Sequence, residues 1–328
     1  MLDLSAFLAE WENDEDFVAG HTSGTTGAPR PIRLLKADML ASATLTNSFF
    51  GITSSSALLL CLSPDHIAGK MMIVRAAAAG AKLVTITPGS DPLATLDEPV
   101  DLAALVPLQL ENSLRRPDKL SLVRQLLIGG APLSPALEQR ARAMSTPCFA
   151  SYGMTETLSH VALRRVNETL ASPLYTAIGD TRFSADSRGC LLVDAPHLRQ
   201  RHFVTNDLVR LVDPSRFQWL GRVDNIINSG GIKLSPESLE ATIAPLFTSR
   251  FFITAEDDPR LGQRLILLIE APPWPPEEIA LLRTRIALLL PPRERPRSVG
   301  FLPSFPETPS GKLIRTFNPA DAGLFALL

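Results

Sequence analysis

Short strand-like runs alternate with helix-patterned stretches through the first half of the chain, and this constrains the fold most. Residues 57–62 and 82–87 read as short buried strands, with a helix over 68–79 between them. Residues 122–128 read as a further strand running into Gly129-Gly130, and 36–50 and 135–143 read as helices. Strands separated by helices of this length predict an α/β fold layered on a largely parallel sheet. After about Gly221 the pattern changes. Ser235 and Pro236 are suited to the N-cap and first turn of a helix over 236–246. Residues 251–255 and 265–270 read as a hairpin around Asp257-Asp258-Pro259, and 277–290 as a helix between Pro-rich stretches. The expectation is a large N-terminal α/β domain over 1–221 and a small α+β domain over 222–328.

Composition narrows the class of protein. With 328 residues, 45% of them hydrophobic, the chain has ample apolar material for a core and is not a disordered protein. A net charge of −2 argues against a nucleic-acid or polybasic membrane partner. Cys61, Cys148 and Cys190 are isolated, which indicates neither a disulfide framework nor a zinc site. The acidic N-terminus lacks the charged and apolar regions of a signal peptide, and no apolar run approaches a membrane span. A cytoplasmic home is expected. The basic residues are almost all arginine; the lysines are Lys36, Lys70, Lys82, Lys119, Lys233 and Lys312.

The chemistry is concentrated in short motifs. Residues 22–31, TSGTTGAPRP, offer the hydroxyls of Thr22, Ser23, Thr25 and Thr26, with Gly24 and Gly27 to turn the backbone. Such a loop suits a polyphosphate. It is not a Walker A loop, whose glycines lie further apart and are followed by Lys-Ser/Thr. Further along come LIGGAP at 127–132, SYGMTET at 151–157, Asn206-Asp207, Gly-Arg-Val-Asp at 221–224, SGGIKLSPESLE at 229–240 and PETPSGKLIR at 306–315.

Taken in order, these segments resemble the adenylate-forming superfamily of acyl-CoA synthetases, adenylation domains and luciferases. The resemblance spans Thr22 to Arg315 and departs in the phosphate loop, where Arg30 replaces the usual lysine. It implies ATP, Mg²⁺ and coenzyme A as co-substrates and an acyl-adenylate intermediate. It implies that Gly130, Ala131 and Pro132 line the adenine, and that Tyr152, within Ser151, Gly153 and Met154, stacks on it. Thr155 would bond the α-phosphate, Glu156 would hold the metal, and Asp207 and Arg222 would reach the ribose or phosphate. Asp224 would mark a hinge near 222–225 about which the small domain moves. Gly230 and Gly231 would admit the thiol carrier's arm beside Lys233. Lys312 would stabilise the charge that builds up as a carboxylate attacks the α-phosphate.

The acid is less explicit. Residues 64–76, PDHIAGKMMIVRA, together with the run after the core signature, resemble the short o-succinylbenzoate–CoA ligases. A second carboxylate needs a cation or several donors, which singles out His66, Lys70, Arg75, Ser159 and His160. Lys70 and Arg75 are five apart on one helix, so at most one is expected to face the ligand. A structural role for His66, and a surface or salt-bridged role for Arg75, remain open at this level. The phosphate loop also starts early for the family, so a reduced N-terminal domain with a more open pocket is expected. Other aryl- or acyl-CoA ligases, an acyl-AMP ligase serving a carrier protein, and a non-catalytic nucleotide-binding remnant are the alternatives. The oligomeric state is open, a homodimer being one option.

Overall fold

A computed structural model describes residues 2–22, 30–167, 172–306, 313–315 and 323–327. Helix α1 (Ser5–Glu12) precedes an antiparallel ribbon of β1 (Phe17–Thr22) and β2 (Arg30–Leu35), which pairs Thr22 with Arg30. Then come α2 (Lys36–Phe50), β3 (Ala57–Leu60), α3 (Ile67–Ala79), β4 (Lys82–Thr85), β5 (Leu102–Leu105), α4 (Pro107–Ser113), α5 (Pro117–Leu120), β6 (Leu126–Ile128) and α6 (Pro135–Arg142). Strands follow in succession: β7 (Cys148–Gly153), β8 (His160–Arg165), β9 (Leu174–Ala177), β10 (Arg182–Ala185), β11 (Cys190–Asp194), β12 (His202–Asp213) and β13 (Arg216–Arg222).

Among the described residues, eleven strands form one sheet in the order β10-β11-β12-β13-β9-β8-β7-β6-β5-β3-β4. Only the β4-β3-β5-β6-β7 portion is parallel. From β7 through β8 and β9 to β10 every pairing is antiparallel, so the sheet is mixed and not largely parallel as expected. The difference lies after residue 153, where among the described residues no helix intervenes between the strands of this sheet and most consecutive strands pair directly.

The parallel half is buried on both faces, which is why its strands read as continuous apolar runs. Leu58 and Leu60 face Met39 and Ala43 of α2 and Met72 and Val74 of α3. Leu59 and Cys61 face the opposite layer, with Leu110, Leu120 and Leu137 of α4, α5 and α6. Each such leucine contributes roughly 1.5–3 kcal/mol by leaving water. Gly51 and Gly80 end α2 and α3 in left-handed conformations.

The remainder builds a second sheet from β14 (Ile227–Ser229), β15 (Ile232–Leu234), β16 (Phe251–Asp258), β17 (Gly262–Glu270), β18 (Ser298–Leu302) and β19 (Leu324–Ala326). Helix α7 (Pro236–Ile243) starts at Ser235, whose hydroxyl accepts from the Ser238 amide, as the sequence predicts. Its last turn tightens to a 3₁₀ segment, Ala244–Leu246. Helix α8 (Pro276–Leu289) connects the parallel pair β17 and β18. Leu265, Leu267 and Ile269 of β17 pack with α7 and α8, while Ile266 and Leu268 meet Phe252 and Phe305 on the other face. The two sheets are joined near Leu220, whose carbonyl accepts from the Ser235 hydroxyl at 2.8 Å and the Ser238 hydroxyl at 2.9 Å.

Candidate active site

Strand β7 leads Ser151, Tyr152 and Gly153 out of the parallel half of the sheet into a tight turn. There Thr157 hydrogen-bonds the Met154 amide and the Ser159 carbonyl, and Leu158 takes a positive φ of 62°. A Cβ on Gly153 would lie 2.2 Å from the Ser159 carbonyl oxygen, so only glycine fits. The turn returns the chain as β8, with Gly153 opposite His160 and Tyr152 opposite Ala162.

On one side of this turn, Tyr152 donates from its hydroxyl to Asp207 Oδ2 at 2.6 Å. Trp219 Nε1 donates to Asp207 Oδ1 at 3.2 Å, and Arg222 Nη1 lies 3.8 Å from the same oxygen. Arg222 also donates to Asp224 at 2.7 Å, and Asn206 holds Asp224 at 3.1 Å. Burial, with the Asp207 carboxylate beside it, pushes the Tyr152 phenol well above its ordinary range, so it remains a donor. The Tyr152 ring meets Phe217 edge-on at 5.0 Å. Three residues from separate motifs, Tyr152, Asp207 and Arg222, therefore form one half-buried cluster. Gly130, Ala131 and Pro132 follow the end of β6, to which Ser151 is tied by its hydroxyl on the Ile128 carbonyl at 2.9 Å. Thr155 is buried in the turn, whereas Glu156 is exposed in a cleft of about 370 Å³ beside β2, Asp38 and Phe203.

On the other side lies a buried cation. Arg75 of α3 is 2% exposed. It donates to the Ser159 hydroxyl and to Met72 Sδ, and its Nε has no hydrogen-bond partner among the described residues. Burial lowers its pKa to about 10. Arg164, also buried, is bidentate with Glu138, and the half-buried Arg315 is bidentate with Glu240. Arg75 faces no carboxylate among the described residues, so it is neither a surface nor a salt-bridged arginine. Ser159 Oγ is 3.1 Å from His160 Nδ1, and His160 Nε2 is 3.3 Å from Thr46 Oγ1.

The other acid-pocket candidates fall elsewhere. Lys70 turns to α1, over the Phe7 ring at 4.9 Å and 3.7 Å from Glu10, as its five-residue offset from Arg75 requires. His66 is exposed at the N-cap of α3, where its side chain makes no capping hydrogen bond. Gly230 and Gly231, with φ of 58° and 79°, form the two-residue turn of the β14–β15 hairpin, a turn that demands left-handed residues. Lys233 is exposed on β15 and Asp224 sits in the 3₁₀ turn Val223–Asn225. Arg30 is exposed at the start of β2. Ser23, Gly24, Thr25, Thr26, Gly27 and Lys312 lie outside the described residues, and Thr22 is described only as the last residue of β1.

Two contributors were not legible in the sequence. Trp219 carries no motif, and only the pairing of β12 with β13 brings it to Asp207. Thr46 is an ordinary residue of an apolar helix face until β8 places His160 beside it, 114 residues away.

Comparison with known proteins identifies the family and the fold. A family model described as AMP-binding enzyme matches residues 8–186. A probable 2-succinylbenzoate–CoA ligase of Mycobacterium tuberculosis is 29% identical over 94% of this chain and 85% of its own length. The crystal structure of an acyl-CoA synthetase (AMP-forming)/AMP-acid ligase II-like protein from Dyadobacter fermentans is 35% identical, covers 94% of this chain and 90% of its own, and superposes with a TM-score of 0.63. The Bacillus subtilis o-succinylbenzoate CoA synthetase in complex with its acyl-adenylate intermediate shares the fold at TM-score 0.75, with 20% identity over 90% of this chain and 67% of its own. The family match covers more than half of the chain, and the chain belongs to the AMP-binding enzyme family.

Proposed function

We propose that the protein is an AMP-forming acid–CoA ligase that activates o-succinylbenzoate. In this reading the carboxylate of the succinyl arm attacks the α-phosphate of ATP and expels pyrophosphate. The thiol of coenzyme A then attacks the acyl carbon and expels AMP. The observation that carries the reading is Arg75, a buried guanidinium without a carboxylate partner among the described residues, one tight turn from the Tyr152–Asp207–Arg222 cluster. A fatty acid has no use for a buried cation. A diacid brings a second carboxylate to it, and a bidentate pair with guanidinium is strong. The names of the Mycobacterium tuberculosis and Bacillus subtilis relatives point to the same acid.

In this reading the motif residues take the roles that their resemblance implies. Tyr152 presents an aromatic surface to the adenine and Asp207 accepts from the ribose hydroxyls, displacing part of its present hydrogen bonding. Arg222 stands by at the ribose and phosphates. Among the described residues no three candidate ligands gather as a metal site, which fits Mg²⁺ arriving with ATP and held by Glu156, phosphate oxygens and water. When bound, the ion neutralises phosphate charge. Lys312 supplies the remaining cation for the adenylation step, carried by the domain over 222–328 as it turns about residues 222–225. Lys312→Ala is then expected to cut adenylation roughly a hundredfold or more, with far less effect on thioester formation from preformed acyl-adenylate. Equal loss in both half-reactions would remove that role. The free buried cysteines fit a cytoplasmic home.

The decisive measurement is ATP–pyrophosphate exchange. It should depend on o-succinylbenzoate and be weak with benzoate or fatty acids; the opposite preference would overturn the assignment of the acid.

A further inference from the structure

The polar contacts around Arg75 continue through Ser159 and His160 to Thr46 and the Ser42 carbonyl, and the two ends of this series have no choice of role. A guanidinium only donates, and a carbonyl only accepts. Arg75 Nη2 donates to Ser159 Oγ. Ser159 Oγ, 3.1 Å from His160 Nδ1, keeps its own proton free to donate to that nitrogen. Nδ1 then accepts, so the ring carries its proton on Nε2, which donates to Thr46 Oγ1 at 3.3 Å. Thr46 passes its own proton to the Ser42 carbonyl at 3.1 Å. The opposite tautomer would need the Thr46 proton at Nε2 and would take it from the Ser42 carbonyl, so the Nε2–H arrangement is the one that keeps the Thr46–Ser42 hydrogen bond.

We infer that Thr46 and His160 are positioning residues for the acid subsite, forming with Ser159 a one-way hydrogen-bond relay that aims the Arg75 guanidinium. The inference rests on the assignment of Arg75 to the substrate's second carboxylate. The ring nitrogen that carries a proton is set by the bond the other nitrogen makes. With Thr46 in place, Ser159 keeps a lone pair facing Arg75. Without that hydroxyl, His160 Nε2–H is left unpartnered in a buried site, and the favoured tautomer moves the proton to Nδ1. Ser159 then accepts from His160 as well as from Arg75, its own proton loses the Nδ1 acceptor, and the hydroxyl must reorient beside Arg75. Burial and the nearby Arg75 charge hold the His160 pKa well below its ordinary value, consistent with a neutral ring throughout. His160, Ser42 and Thr46 are all buried, so water does not readily substitute for a lost partner.

Thr46→Val keeps the shape and removes the hydroxyl, and Thr46→Ser keeps the hydroxyl. In steady-state assays Thr46→Val should raise KM for o-succinylbenzoate roughly three- to tenfold, the worth of one neutral hydrogen bond. The KM for ATP and kcat should hold, and Thr46→Ser should restore the acid KM. Nitrogen-15 NMR of the substrate-free protein, with the His160 signal assigned from His160→Gln, should show the proton on Nε2 in wild type and on Nδ1 in Thr46→Val. An Nδ1 proton in wild type overturns the relay whether or not the acid has been assigned correctly. An unchanged acid KM in Thr46→Val, in an enzyme that does use o-succinylbenzoate, also overturns it. Failure of the exchange assay with an Nε2 proton present refutes the acid and leaves the relay standing.

Discussion

Two polar clusters flank the β7–β8 turn, and they are built on opposite principles. Around Asp207, charges are already answered: Tyr152 and Trp219 donate to its oxygens, Arg222 lies beside it, and the whole is partly open to solvent. Around Arg75 the charge is buried and answered only by neutral atoms, a serine hydroxyl and a thioether sulfur. A satisfied cluster adds to stability and must rearrange to accept a ligand. An unanswered buried cation costs the empty protein stability and is relieved by an anion. The nucleotide side is organised beforehand and the acid side is held in tension. On the proposed assignment, ATP would compete with existing partners, whereas the second carboxylate of a diacid would compete with none among the described residues.

This contrast can be broken by substitution. Arg75→Met should raise KM for the diacid roughly a hundredfold, since a buried charged pair loses one partner. It should leave thermodynamic stability unchanged or raise it by about 1 kcal/mol, because a lone buried charge has been replaced by an apolar chain. A stability loss in denaturant titration would make Arg75 a structural residue. Asp207→Ala should behave in the opposite way. Tyr152 and Trp219 lose their acceptor, costing about 1–3 kcal/mol, and KM for ATP should rise roughly tenfold or more while KM for the acid holds.

The third test uses pH. An unfolded histidine titrates near 6.5, whereas His160 in the fold titrates well below its ordinary value because of burial and then Arg75. Between those two values the unfolded chain binds a proton that the native chain refuses, so acidification favours unfolding. The stabilising contribution is whole above about pH 6.5 and falls by about 1.4 kcal/mol per pH unit below it. His160→Gln should flatten the dependence of unfolding free energy on pH by about one proton; an unaltered slope would mean that the ring ionises in the fold. Least of all, Lys70→Met should change KM for the acid by less than about twofold. Its partners, the half-buried Glu10 and the Phe7 ring, both belong to α1 and lie away from Ser159 and Arg75.

The parallel half of the fold was readable because its physics is local. Buried strands such as Ala57–Leu60 must be apolar on both faces, and α2 matches its expected span from residue 36 to 50. Strand β5 was not read from the sequence, although it is no shorter than β3 or β4. The antiparallel strands β8 to β13 escaped notice because their half-exposed residues follow no strict alternation, as in HFVTNDLVRLVD of β12. In the site, motif order placed Tyr152, Asp207 and Arg222 together, because contiguous motifs carry their own chemistry. The isolation of Arg75 is different in kind. A missing carboxylate is a property of its tertiary neighbours, and the same Lys–x₄–Arg spacing reads identically whether or not a partner faces it.

Gly153 has a consequence for how the molecule can change over time. Because the Ser159 carbonyl occupies the space of a Cβ there, no single-codon replacement at 153 is sterically admitted without moving the turn itself. A mutational tolerance map would show a one-residue notch at 153, and a change there would damage the nucleotide side and the acid side together. If Arg75 does meet the acid as proposed, a change of acid is expected from side chains on the turn's far limb and on α2 and α3. The turn thus couples the two clusters through one backbone position, whereas the side chains around Arg75 can be exchanged without touching it.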